Sequence, residues 1–231
     1  MKHPDNSPKT IPLVIAVAAS VVVFAVVILW PAGRLDWVAG WLYVGIVALY
    51  LLVNVIYIKR VNPELIAARM RFGKGTKHWD IVWGALFGPI LLSIYVVAGL
   101  DAVRYEWSTM SPFFWPMGLI LFVPGTVLFA WSMGVNPFFE KTVRIQSERG
   151  HRVIDTGPYA FVRHPGYLGF IGWCLSAPLL LGSWWAFVPA VLTVVGLVVR
   201  TVLEDRTLRE ELEGYEAYSN RVRNRLLPRV W

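Results

Sequence analysis

Six apolar runs, at about 11–30, 37–58, 81–100, 113–135, 167–182 and 184–203, alternate with short polar stretches along the chain. Most reach the roughly 20 residues that a helix needs to cross a bilayer. The fifth is shorter, and His164-Pro165-Gly166 leads into it. Proline suits a first helical position, where its missing N–H costs nothing. The pattern predicts an all-α integral membrane protein of about six transmembrane helices. The first run ends in Ile28-Leu29-Trp30-Pro31 with no small-residue cleavage site after it, which predicts a retained span rather than a signal peptide. Gly182-Ser183-Trp184-Trp185 leaves room only for an antiparallel hairpin between the last two runs, so residues 200–208 return to the level of residue 164. From Glu204 to Tyr218 the sequence predicts a polar tail helix, which Gly214 ends or kinks. The polar, proline-bearing first ten residues predict disorder.

Charge adds an orientation. Twenty of the 22 Lys and Arg residues fall on one side: the N-terminus, the loops 59–80 and 136–166, and the tail from Arg200. Only Arg34 and Arg104 fall on the other. This asymmetry predicts six spans with both termini in the cytoplasm. It also explains the net charge of +7 without nucleic acid, since anionic lipid head groups are the natural partner of such loops. Twelve tryptophans and nine tyrosines suit aromatic belts at the bilayer interfaces. The single Cys174 lies in an apolar run, where it reads as a buried structural thiol and permits no intramolecular disulfide.

Two polar clusters stand out against this apolar background. Gly157-Pro158-Tyr159 and Arg163-His164-Pro165-Gly166-Tyr167 abut the fifth run, while Arg200, Glu204 and Asp205 end the sixth. Polar groups at such depth are costly and mark a site by default. Tyr159 and Tyr167 offer hydroxyls and aromatic faces that hold a sulfonium or ammonium well. Arg200 and Glu204, spaced i, i+4, share a helix face. They read either as an ion pair or as two ligand anchors, with Arg200 suited to a carboxylate or phosphate. The loop from Gln146 to Tyr159 reads as a connector or as a stretch of backbone laid on a ligand. His3, His78 and His151 have no acidic partners at metal-like spacing, so no metal is expected. Dinucleotide, P-loop and nucleophilic-serine motifs are absent from the sequence.

The stretch Gly150-His151-Arg152-Val153-Ile154-Asp155-Thr156-Gly157-Pro158-Tyr159, then Arg163 to Gly169, then Arg200, Glu204-Asp205, Leu208, Tyr215, Tyr218 and Arg225-Leu226-Leu227-Pro228, resembles the isoprenylcysteine carboxyl methyltransferase family. Through it the chain resembles the wider group of membrane methyltransferases that includes phospholipid methyltransferases. The resemblance covers about the last ninety residues. It implies residues 136–231 as a methyltransferase-like region with hairpin and tail, and the apolar runs leave residues 1–135 as an N-terminal four-helix membrane region. It further implies S-adenosylmethionine as cofactor, surrounded by Gln146, His151, Arg152, Val153, Ile154, Tyr159, His164, Pro165, Gly166, Tyr167 and Glu204. Arg200 would face a lipophilic methyl acceptor, a carboxylate first of all, and Arg200 and Glu204 would be the catalytic pair. Two positions depart from the family pattern and bear on the acceptor: Asp205 where a second glutamate is usual, and Glu213-Gly214 where Phe-Gly is usual. The competing expectations are an NADPH-dependent membrane reductase and a non-catalytic lipid- or partner-binding protein working through Arg69, Arg71, Lys74 and Lys77.

Overall fold

The computed structural model describes residues 10–69 and 75–231, with side chains from residue 13. Lys2, Lys9, Arg71, Lys74 and the expected N-terminal disorder lie outside the described residues. Within them every regular element is helical: α1 Thr10–Ala32, α2 Val38–Val61, α3 Pro63–Arg69, α4 His78–Gly99, α5 Trp115–Val135, α6 Pro165–Leu181, α7 Phe187–Glu211 and α8 Tyr215–Arg221. Five of them, α1, α2, α4, α5 and α7, are long and apolar enough to cross a membrane, and α6 is apolar but only 17 residues long. The chain is an integral, multi-pass membrane protein. The tail helix expected from Glu204 to Tyr218 is split, because α7 runs unbroken to Glu211 and Gly214, at φ +79°, starts α8 as a separate piece.

Without a hydrophobic force between apolar helices in lipid, association rests on close packing and on hydrogen bonds. Both are present. The most extensive helix contact joins α5 and α6, where Gly125 and Gly169 let the two backbones touch. A Cβ on Gly169 would sit 2.5 Å from the Gly125 carbonyl oxygen and 2.8 Å from the Phe129 nitrogen. The aromatic centre of the bundle is tied by the Trp173 indole, which donates to the Tyr43 hydroxyl at 2.9 Å.

The α6–α7 hairpin is held at its turn. Gly182 ends α6 in the left-handed region at φ +74°. Asp101, fully buried beyond α4, accepts hydrogen bonds from the Ser183 hydroxyl at 2.6 Å and the Trp185 N–H at 3.2 Å. It also accepts from the Ser108 N–H and hydroxyl at 2.8 and 2.7 Å. With this end fixed, the opposite ends of α6 and α7, bearing His164 and Glu204, face each other.

Gly169→Ala is expected to lower stability by ~1–3 kcal/mol, because only backbone atoms stand in the way of the new Cβ. Gly45→Ala, whose Cβ would meet nothing within 4 Å, is the control and should not destabilise. Melting curves of the two variants in detergent check this.

Candidate functional site

At the end of the bundle opposite the Asp101 turn lies a cavity of about 500 Å³. One wall is polar and comes from the loop 138–154, the α6 start, the end of α7 and α8. The other is apolar and comes from Trp83, Phe87 and Leu91 of α4, Phe129 of α5, Phe170 of α6 and Leu197 of α7. Gln146, His151, Arg152, Val153, Ile154, Tyr159, His164, Gly166, Tyr167, Arg200 and Glu204 all line it. Pro165 does not: it is buried within the first turn of α6 and serves the helix start rather than the cavity wall.

Arg200 and Glu204 do not pair with each other by hydrogen bond or ion pair. Glu204 accepts a hydrogen bond from the Tyr167 hydroxyl. Arg200 turns to α4 instead, where its Nη2 lies 3.0 and 3.2 Å from the two oxygens of buried Asp80 and donates to the Lys141 carbonyl at 2.7 Å. The guanidinium lies 4.4 Å from the Trp83 ring centre and 5.7 Å from that of Tyr167. Its Nε is buried without a hydrogen-bond partner. Asp80 also accepts the Val143 N–H at 2.7 Å, so it joins Arg200 to the polar loop.

Asp205, next to Glu204, faces away from the cavity into a knot of donors. Arg163 grips it with two parallel bonds, Nε at 2.7 and Nη2 at 3.0 Å. Tyr215 donates at 2.9 Å and Arg225 at 3.1 Å. His164 Nε2 stands 3.4 Å away, with its ring stacked on Tyr167 at 5.8 Å. Arg163 further donates to the carbonyls of Val222 and Arg223, and the backbone N–H groups of Arg163 and His164 donate to Asn224 and Arg225. Arg163 thereby commits its guanidinium to partners within the protein.

The loop is held by its own charges. Glu140 takes a bidentate grip from Arg144 at 2.9 and 3.0 Å. Gln146, almost fully buried, donates to the Phe138 carbonyl at 2.8 Å and accepts from Arg149 at 2.6 Å. Its backbone N–H points to His151 Nδ1 at 3.3 Å. Burial pushes the His151 imidazole down to about 4, so it is neutral at pH 7. From Arg152 to Ile154 the backbone N–H and C=O groups make no hydrogen bond among the described residues, which leaves them available along the cavity edge. Tyr159, buried behind this edge, has its hydroxyl beside Asn136 at 3.2 Å. No group of three or more His, Cys, Asp or Glu among the described residues could hold a metal ion.

Residues that the sequence reading passes over are Asp80 and the α4 stripe Trp83, Phe87 and Leu91. Their spacing at i, i+3, i+7 and i+11 puts an acid and three apolar residues on one helix face, and a lone acid in the first turn of an apolar run is the signal that could have found them.

Residues 118–210 match the isoprenylcysteine carboxyl methyltransferase family. Through this segment, about two fifths of its length, the chain is similar to that family. The mouse protein-S-isoprenylcysteine O-methyltransferase is 29% identical over 148 residues, covering 55% of this chain and 49% of the mouse protein. The fission yeast (Schizosaccharomyces pombe) protein of that name is 33% identical over 91 residues, 36% of each chain. The chain thus spans about half the length, or less, of these two relatives. A solved eukaryotic intramembrane Ras methyltransferase of the family matches 92% of this chain and 78% of its own at a TM-score of 0.50 and 14% identity, which establishes a shared fold. The family segment carries α5, the loop, α6 and most of α7, which together hold all of the sequence-predicted cavity residues.

Two expectations follow. Asp205→Ala leaves Arg163 buried without its acid and is expected to cost about 3–5 kcal/mol, with faster tryptic cleavage near Arg223 and Arg225. Arg206→Ala, whose pair with Glu210 is exposed, should leave the melting curve unchanged. Separately, the folded His151 value of about 4 lies below the ordinary 6.5, so the unfolded chain takes up the proton first. The stability it contributes is whole above pH 6.5 and is lost as pH falls toward 4. His151→Gln should flatten that part of a melting-temperature profile.

Proposed function

We propose that the protein is a membrane methyltransferase that uses S-adenosylmethionine and acts on a lipophilic carboxylate of the isoprenylcysteine type. The observation that carries this reading is the single cavity in which Glu204 and two tyrosines face a loop with free backbone, while an apolar wall continues from Arg200 into the bundle. The family match over residues 118–210 supports a methyl donor, and the donor set fits this one. A carboxylate flanked by aromatic faces suits a sulfonium. Free N–H and C=O groups from Arg152 to Ile154 suit the edge of a purine.

When bound, S-adenosylmethionine supplies a methyl group already activated by positive sulfur. The chain's own residues have a positioning task. Glu204, held by the Tyr167 hydroxyl, fixes the cationic ligand against the end of α7. Arg200, held from behind by Asp80 and the Lys141 carbonyl, turns its free Nε to an acceptor carboxylate. A carboxylate oxygen is already a nucleophile at neutral pH, so the protein needs neither a general base nor a metal. Alignment of the two reactants in a dry, shaped cavity is the rate-enhancing contribution. Trp83, Phe87, Leu91 and Phe170 suit an apolar chain. In this reading residues 136–231 form the cofactor side, and residues 1–135 supply much of the acceptor side. The charged loops and both termini face the cytoplasm, in line with the loop asymmetry.

Thermal unfolding of the purified protein tests the reading. S-adenosylmethionine at 100 times its dissociation constant should add about 2.7 kcal/mol of stability. Glu204→Ala should weaken that binding roughly 10- to 100-fold, the worth of one charged hydrogen bond. A shift with NADPH and none with S-adenosylmethionine would replace this reading with a reductase.

A further inference from the structure

Most charged groups around the cavity are matched. Arg144 is taken by Glu140, Arg163 by Asp205 and Arg200 by Asp80. Two half-buried groups are not. One is Glu204, whose partner is the neutral Tyr167 hydroxyl. The other is Arg69, which lines the same cavity and makes no ion pair among the described residues. Lys141 and Arg152 also line it, but both are exposed and solvated.

Arg69 is brought there by construction. Asn62, just after α2, donates to the carbonyls of Met133 at 2.9 Å and Asn136 at 3.2 Å. Leu65 of α3 is fully buried in a cluster with Ile58 and Met133. These contacts lay α3 across the end of α5, so that Arg69 donates to the Phe139 carbonyl at 3.0 Å and its guanidinium lies 5.6 Å from the Phe139 ring centre. Arg200 donates to the carbonyl of Lys141, two residues further on. The two guanidinium groups are therefore fixed to one short stretch of wall whose anchoring Cα atoms are at most about 7 Å apart. Burial works against the charge of Arg69, and Glu140 acts on it through space, but the Glu140 oxygens are already gripped by Arg144. A cation held in place at such cost, with donors left over after one carbonyl, suits an anion.

We propose that Arg69 is a second anion anchor of the cavity, receiving the carboxylate of the methyl acceptor together with Arg200. This rests on the function proposed above. Asp80 neutralises Arg200, so Arg69 supplies the uncompensated positive charge that makes the site select a carboxylate over a neutral analogue. Glu204 and Arg69 then divide the cavity into a place for a cation and a place for an anion.

The test compares N-acetyl-S-prenylcysteine with its methyl ester, binding each to the full-length protein saturated with S-adenosylhomocysteine so that no turnover occurs. The wild type should bind the acid roughly tenfold or more tightly than the ester. Arg69→Gln should lose most of that preference and keep its affinity for S-adenosylhomocysteine, which also reports that it is folded. Arg69→Lys should keep part of the preference. An Arg69→Gln variant that still prefers the acid as the wild type does would show that the side chain only packs on Phe139, and would overturn the proposal. So would a wild type that binds S-adenosylhomocysteine but does not tell acid from ester. A wild type that binds neither S-adenosylmethionine nor S-adenosylhomocysteine would instead strike at the function itself, and this inference would fall with it.

Discussion

The arrangement of the cavity depends on the buried carboxylate of Asp205. An isolated charge at that depth would be intolerable, and here Arg163, Tyr215 and Arg225 each give it a hydrogen bond. The donors come from the loop before α6, from α8 and from the closing tail, while the acceptor belongs to α7. One ion thus joins four parts of the chain, of which the loop at Arg163 lies 42 residues before Asp205. Because Arg163 precedes His164 and Asp205 follows Glu204, the same knot sets the His164–Tyr167 wall opposite Glu204. Two parallel hydrogen bonds fix an angle as well as a distance, which a single hydrophobic contact would not.

The second constraint acts at the other end of the hairpin. Asp101 gathers Ser108, Ser183 and Trp185, so α6 and α7 are pinned at both ends by acids with opposite tasks. Asp101 satisfies a turn. Asp205 organises a site. Between them the contact of Gly125 with Gly169 removes the space in which α6 could slide along α5. The polar wall of the cavity is therefore rigid by packing and by charge, while its apolar wall is drawn from α4, which meets α7 through the Trp83 indole bonded to the Gly196 carbonyl at 3.0 Å.

Much of this was legible in the sequence, for identifiable reasons. The apolar runs gave the helices because each exceeds or approaches a bilayer's thickness, and the hairpin followed from the shortness of the turn at Gly182. The cluster from Gly157 to Tyr167 was legible because polar residues interrupt an apolar context. What was hidden depends on partners distant in sequence. Nothing local tells that Arg200 looks to Asp80, 120 residues away, rather than to Glu204 one turn along its own helix. Nor does anything local reveal that Asp205 points out of the cavity while its neighbour points in. The i, i+4 rule names a possible pair, and tertiary packing decided against it. Pro165 was drawn into the expected site by its neighbours, although a proline at a helix start has backbone work of its own.

The length of α6 carries one more consequence. Seventeen residues rise only about 25 Å as a helix, against a hydrocarbon core of roughly 30 Å. Its companions α2, α5 and α7 have 21 to 25 residues and suffer no such shortfall. No residue of α6 is exposed, so its shortfall is covered by neighbouring protein rather than by lipid. The turn after α6 is anchored by Asp101, so the shortfall falls at the His164 end. Where the longer spans continue as helix, the short one leaves room for the loop whose residues line the cavity.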